Sequence, residues 1–262
     1  MLNERLSRLL GWMLVAFAGI AFAGAAHAAA VLSGFQGDVR TSIAGSPAHS
    51  AAANEQLQPG TSVETGADAR AVIKFDDGQV VVLDQSTTFK LADFSYDAAQ
   101  PGQGRVVMDL VKGALRAITG LIGRSNHQAF ALRVPQATIG VRGTDFMVVL
   151  VNPAYVSVRD GSITATNGAG TAAFGPGSLG SIPSASTLGT AIPGSALPAE
   201  AAAAFSRLAS APGLAAGGAA GGAGGGGADG LTAEQGGVIA AGIIAAGAVA
   251  ASARGGGTTT HH

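Results

Sequence analysis

The chain has 262 residues, enough for one sizeable domain with extra segments. Charged residues make up 12% and the formal net charge is -1, which removes the electrostatic footprint of a nucleic-acid binder. Cysteine is absent, excluding disulfides, thiolate metal sites and a Cys nucleophile, while 41 glycines exceed the usage of a compact enzyme.

The N-terminus reads as an export signal. Arg5 and Arg8 give it a positive start, residues 9–23 form an apolar run with Trp12, Phe17 and Phe22, and Ala26-His27-Ala28 fits a small-x-small cleavage exit. Residues 1–28 are therefore expected to be a signal peptide, with Ala29 as the mature N-terminus. The expected destination is the periplasm, the outer membrane or the cell surface. An uncleaved anchor is the alternative, but the run is short for a membrane span.

Residues 29–182 read as an all-β domain. After residues 34–40 (GFQGDVR) and a polar, Ala-rich loop, Gln58-Pro59-Gly60 marks a turn. Ala71, Ile73 and Phe75 then alternate with Arg70, Val72 and Lys74. Asp77-Gly78 follows before residues 80–83 resume the pattern, which is the signature of a β-hairpin. Val106, Met108 and Leu110 share one face, Gly113 interrupts, and Leu115, Ala117 and Ile118 continue. Residues 121–128 read as an exposed loop. Residues 131–151 read as two strands joined at a bend, with Gly140 and Gly143 supplying backbone freedom and Thr144 and Asp145 bonding nearby amides. Asp160-Gly161 reads as a second hairpin turn, and short strands around 173–174 and 179–182 close the domain. Such spacing fits a compact multi-stranded sandwich, a barrel or a solenoid-like stack of short strands and hairpins.

Beyond 182 the composition changes. Residues 183–230, rich in Pro, Ala and Gly, read as a linker with a marginal short helix near 199–209. Residues 231–254 read as an apolar Ala/Gly-rich helix that Thr232 could cap, and residues 255–262 as a disordered tail. Within that helix, residues 238–253 place small residues at helical spacing, suited to close helix–helix contact. The run is shorter than a membrane span, so packing on another helix is preferred over insertion in lipid.

No chemistry of catalysis is visible. Ser33, Ser95 and Ser125 lack an elbow motif, and the five histidines are scattered. Asp76, Asp77, Asp84 and Asp160 sit where turns favour Asp and match no calcium-loop spacing. No cofactor, metal or nucleic acid is expected. Arg142 could be displayed for recognition between two glycines, but a structural role is preferred, in which Arg142 and Asp145 fix the bend by hydrogen bonds.

Several stretches together resemble the FecR domain family, the periplasmic regulator domain named for ferric-citrate signalling. They are Gly37-Asp38-Val39, residues 61–66 (TSVETG) with 69–72 (ARAV), Phe75-Asp76-Asp77-Gly78, residues 112–116 (KGALR), residues 134–146 and Val158-Arg159-Asp160-Gly161. The specific part is ATIGVRGTDF, which holds Gly140, Arg142, Gly143, Thr144, Asp145 and Phe146. The resemblance implies an all-β periplasmic module. In its best-known setting the module receives a signal from an outer-membrane transporter and passes it to a cytoplasmic sigma factor. Only residues 1–8 precede the apolar run here, so a form without an anti-sigma segment is expected. The expected function is a non-enzymatic protein-binding or signal-relay module in the bacterial envelope, with an outer-membrane transporter or secretion component as partner. A surface scaffold whose C-terminal helix anchors or assembles it is the alternative.

Overall fold

The computed structural model describes residues 30–211. The chain separates into two compact units, Met1–Gly217 and Gly218–His262. The second unit lies outside the described residues, and so do the expected signal peptide with Ala26, Ala28 and Ala29, the helix over 231–254 with its 238–253 stripe, and the tail.

The strands are β1 (Ala30–Gln36), β2 (Val39–Ile43), β3 (His49–Ser50), β4 (Glu55–Leu57), β5 (Thr61–Thr65), β6 (Arg70–Phe75), β7 (Val80–Leu83) and β8 (Thr88–Ser95). There follow β9 (Arg105–Ile118), a short helix α1 (Leu121–Ser125), β10 (Phe130–Val134), β11 (Ala137–Leu150), β12 (Ala154–Asn167), β13 (Gly170–Phe174), β14 (Leu179–Ile182) and β15 (Thr190–Ile192). Helix α2 (Ala199–Ala209) ends the described chain. All fifteen strands belong to one sheet, antiparallel except where β10 runs parallel to β9.

That sheet folds back on itself through its three longest strands, β9, β11 and β12, of 14 residues each. The first half of β9 pairs with β8 and β10, its second half with β7 and β11. The first half of β12 pairs with β14 and its second half with β13. One layer thus runs β3-β2-β5-β8 into the first halves of β9 and β11, with β10 between them. The other runs β4-β1-β6-β7 into their second halves. This is a sandwich whose strands pass from one layer to the other at local bends.

The bends are visible in which residues face the core. In β9 the buried set is Val106, Met108 and Leu110 before Gly113, then Leu115 and Ala117 after it, so even numbers give way to odd. In β11 Ala137, Ile139 and Val141 give way to Phe146 and Val148, and in β12 Val156 and Val158 give way to Ile163 and Ala165. A strand with a period of two changes parity only where an extra residue is inserted. The corners hold Gly113, Gly143 and Gly161, at φ +89, +60 and +71. Gly161 has no alternative, because a Cβ there would run into the carbonyl oxygen of Gly143 and lie 2.9 Å from that of Arg142.

Three expectations are corrected by this geometry. Residues 140–145 do not join two strands. They belong to the continuous β11, whose ladder with β12 is regular through Arg142↔Ser162, bulges between Arg142 and Phe146, and resumes at Phe146↔Val158. The hairpin turn of that region lies instead at Pro135-Gln136, between β10 and β11. Asp160-Gly161 is not a hairpin turn either. It sits in mid-β12 opposite the same bulge, because two partner strands must bend together to stay paired. Asp77-Gly78 does lie at the turn between β6 and β7, where Gly78 has φ +84 and its N–H reaches the Phe75 carbonyl at 3.0 Å.

The third correction concerns residues 183–211, which are folded rather than a linker. Strand β15 pairs with β14, and α2 lays Ala201, Ala204, Phe205 and Leu208 on the outer face of the sheet against Val82, Ala114, Met147, Val149 and Tyr155. Alanine keeps that helix close to the strands, while Phe205 and Leu208 supply most of the buried apolar area. Residues 121–128 likewise are not simply a loop, since α1 buries Ile122 completely.

Candidate functional site

The resemblance motif occupies the corner where β9, β11 and β12 bend. Asp145 on β11 faces outward. Its Oδ1 accepts from Arg116 Nε at 2.8 Å and its Oδ2 from Arg116 Nη2 at 2.6 Å, a two-pronged pairing. Arg159 Nε lies 3.8 Å from the same Oδ2. The Arg116 side chain is only 8% exposed, so this pair is screened little by solvent and ties the second half of β9 to the corner. The structural partner of Asp145 is therefore Arg116, not Arg142. The reason is parity: Arg116 stands opposite Met147 on the outer face, one diagonal from Asp145, whereas Arg142 precedes the bulge and projects from the other layer.

The Arg142 side chain is exposed and makes no hydrogen bond or ion pair among the described residues. Thr144 is buried. Its N–H donates to Thr119 Oγ1 at 2.7 Å, while its carbonyl accepts from the Thr119 hydroxyl at 2.7 Å and the Thr119 N–H at 2.9 Å. Phe146 is fully buried and meets the Phe130 ring edge-on at 6.4 Å. Gly140 lies against Thr164, where a Cβ would come within 2.8 Å of the hydroxyl.

Asp77 connects the β6–β7 turn to the same region. Its Oδ1 accepts from the Gln79 N–H at 2.9 Å, its Oδ2 from the Ile122 N–H at 3.3 Å, and its carbonyl from the Leu121 N–H at 2.8 Å. It therefore satisfies amides in the first turn of α1 from another part of the chain. Burial pushes its carboxyl above the ordinary aspartate range, against the amides of Gln79, Ile122 and Asp77 itself, which favour the charged form. Gly120 is required beside it, since a Cβ would collide with the carboxylate.

On the outer face, Asp84 is almost completely buried and receives Arg207 of α2, with Nη2 to Oδ2 at 2.7 Å and Nε to Oδ2 at 2.9 Å. Hydrogen bonding to Asp84 raises the Arg207 guanidinium above its ordinary value. Arg70 Nη2 in turn donates to the Arg207 carbonyl at 3.2 Å, holding the last turn of the helix.

None of these groupings assembles a nucleophile, a base and an orienting group. Ser33 donates to the Val72 carbonyl, and His49 contacts Thr41 and Glu55 at 3.0 and 3.4 Å near the surface. Among the described residues there is no group of three or more His, Asp or Glu placed to hold a metal, and no helix long and apolar enough to cross a membrane. Sequence reasoning quoted Lys112-Gly113-Ala114-Leu115-Arg116 only as part of a resemblance. It missed that Arg116 and Gly113 act on the corner, Arg116 through Asp145 and Gly113 as the β9 bend. The change of parity across Gly113 was the signal that could have found them.

No curated protein sequence matches the chain. Two crystal structures of a candidate anti-sigma factor from Parabacteroides distasonis ATCC 8503, at 1.65 and 2.50 Å, are each 18% identical with a TM-score of 0.39. Each match covers 50% of this chain and 57% of that protein, so the chain spans a little over half the length of the proteins it resembles. Residues 61–164 match the model of the FecR protein family, a segment that runs from β5 through the corner to mid-β12. The β-sandwich of this chain carries a FecR domain.

Proposed function

We propose that the chain is an exported, non-enzymatic FecR-domain protein that docks a protein partner in the bacterial envelope and relays a signal through it, with an outer-membrane transporter or a secretion component as the partner class. One observation carries this reading. Within the matched segment, the side chains of Arg116 and Asp145 pair with each other and the Thr144 hydroxyl bonds that of Thr119, all holding the corner, while the Arg142 side chain stands exposed and unpaired among the described residues. A motif that spends its chemistry on shape and presents one free guanidinium suits recognition, since Arg offers a planar fork to carboxylates.

The test is cross-linked capture of the full chain from the envelope of its own cells, comparing the natural protein with Arg142→Glu. Arg142 is exposed, so the variant should melt as the natural protein does. The expected result is one discrete envelope protein captured by the natural chain and lost with Arg142→Glu. Capture of nothing beyond what an unrelated exported β domain retains would overturn the reading in favour of a passive scaffold.

A further inference from the structure

Helix α2 covers the outer face of the sheet over β7, β9, β11 and β12 and reaches β6 only at its margin, where Val72 packs against the covered cluster and Arg70 bonds the Arg207 carbonyl. There a trough of about 370 Å³ is lined by Ser33, Gly34, Phe35, Gln36, Arg70, Val72 and Lys74. Arg70, Val72 and Lys74 are alternate residues of β6 and share its outer face, since Ala71, Ile73 and Phe75 are buried in the core. Gly34 pairs with Val72 and contributes no side chain, so the half-buried valine forms the floor of the trough between two cations.

The same place has a free strand edge. Strand β4 pairs with β1 only at residues 30–32, and the register of β1 on β6 slips between Leu32 and Gly34. Among the described residues, 34–36 pair with β6 alone, leaving main-chain groups on the other side without a strand. Phe35 is 38% exposed beside them. An open edge is a template for an added strand. No acidic residue lines the trough, and Lys74 is exposed and makes no ion pair among the described residues.

We propose that this edge and trough bind an extended partner segment in which acidic and aliphatic residues alternate. The segment adds a strand to residues 34–36. Its outward aliphatic side chain leans across Gly34 onto Val72, an acidic side chain two residues along meets Arg70 beside Gln36, and the acidic residue on the other side, where β4 makes the segment leave the edge, meets the long side chain of Lys74. Main-chain bonding supplies the docking and the two cations supply the choice of sequence. The inference rests on the partner-binding reading above but concerns the layer opposite Arg142, so each can fail without the other.

The test is a fluorescence-anisotropy titration of the full chain with a short labelled peptide of alternating glutamate and valine. Controls are the lysine–valine counterpart, a copy with proline in place of its central valine, and a peptide of this chain's own residues 212–227. The expected result is saturable binding of the glutamate–valine peptide, at least roughly tenfold tighter than any control. Lys74→Glu should weaken it by roughly tenfold. Gly34→Val should abolish it with no change in melting, because a Cβ at Gly34 meets nothing within 4 Å. No saturable binding, equal binding of the lysine–valine or proline peptide, or indifference to both substitutions would overturn the proposal. Equal or tighter binding of the 212–227 peptide would also overturn it, assigning the trough to the chain's own tail.

Discussion

Alanine at Gly161 and at Gly143 should have very different costs, although both glycines sit in the left-handed region at the same corner. At Gly143, φ is +60 and a Cβ would meet nothing within 4 Å, so the only cost is the conformation, about 1 kcal/mol. At Gly161, φ is +71 and the new methyl would be driven into the Gly143 carbonyl and to 2.9 Å from the Arg142 oxygen. Both obstacles are backbone atoms of the paired strand and cannot rotate away. Relieving them means opening the β11–β12 ladder at its bend, which adds roughly 2 kcal/mol, the usual size of an overpacking penalty. The total for Gly161→Ala is then about 3–4 kcal/mol. For a folded unit of this size each kcal/mol moves the midpoint by about 2–4 °C. Gly161→Ala should therefore lower Tm by roughly 6–15 °C and Gly143→Ala by roughly 2–4 °C, read by circular dichroism at one scan rate. Equal shifts, or a larger one for Gly143→Ala, would show that the two strands do not bend against each other as described.

The other predictions concern the parts that hold α1 and α2. Phe205→Ala should cost about 3–5 kcal/mol in urea unfolding, whereas a linker would show no change. Arg207→Ala should cost about 1–3 kcal/mol because it leaves the buried Asp84 carboxylate unpaired, and adding Asp84→Asn should recover most of the loss. Additive losses would mean the pair does not couple. Asp77→Ala should cost about 2–4 kcal/mol by orphaning the Gln79 and Ile122 amides. Because burial raises the Asp77 carboxyl, the native state holds a proton that the unfolded chain releases just above its ordinary value of 3.8. The stability this group contributes is complete below that value and falls as pH rises through the raised one. The urea midpoint of the natural protein relative to Asp77→Asn should thus improve from about pH 7 to about pH 4; an unchanged or opposite difference would contradict the burial effect.

Much of the sandwich was legible because half-buried strands announce themselves by period. Ala71, Ile73 and Phe75 read as a core face and are one, and Asp77-Gly78 lies at the turn joining β6 to β7. What period alone does not reveal is whether a glycine ends a strand or bends it. A glycine with positive φ serves both purposes, so from the sequence alone Gly143 and Gly161 look like breaks between strands. The discriminating fact is non-local: the ladder continues beyond them, with Ile139↔Ala165 on one side and Val148↔Val156 on the other. Helix α2 lies where the sequence offers a marginal short helix, but its docking on the sheet is obscured for a related reason. Its face of Ala201, Ala204, Phe205 and Leu208 has little apolar volume, and an alanine-rich segment between prolines resembles a linker until a sheet face is there to receive it.

The same distinction between local and non-local signals governs the motif. The sequence alone suggests that Asp145 fixes the corner with the nearest cation, Arg142; in the structure its partner is Arg116. On a strand, residues three apart point to opposite faces, so without the bulge Asp145 would face the core while Arg142 faces out. The bulge carries Asp145 to the helix-covered layer, where Arg116 is waiting on β9, and leaves Arg142 on the exposed surface of the other. One inserted residue thus separates a structural carboxylate from a free guanidinium within a single short motif. If the corner were straightened, as Gly161→Ala should attempt, Arg142 would change its position relative to both layers. Partner capture should then fall along with stability for Gly161→Ala, while Gly143→Ala, which keeps the bulge, should retain capture. Loss of capture in Gly143→Ala at temperatures where it is fully folded would mean that Gly143 itself, rather than the arginine it displays, touches the partner.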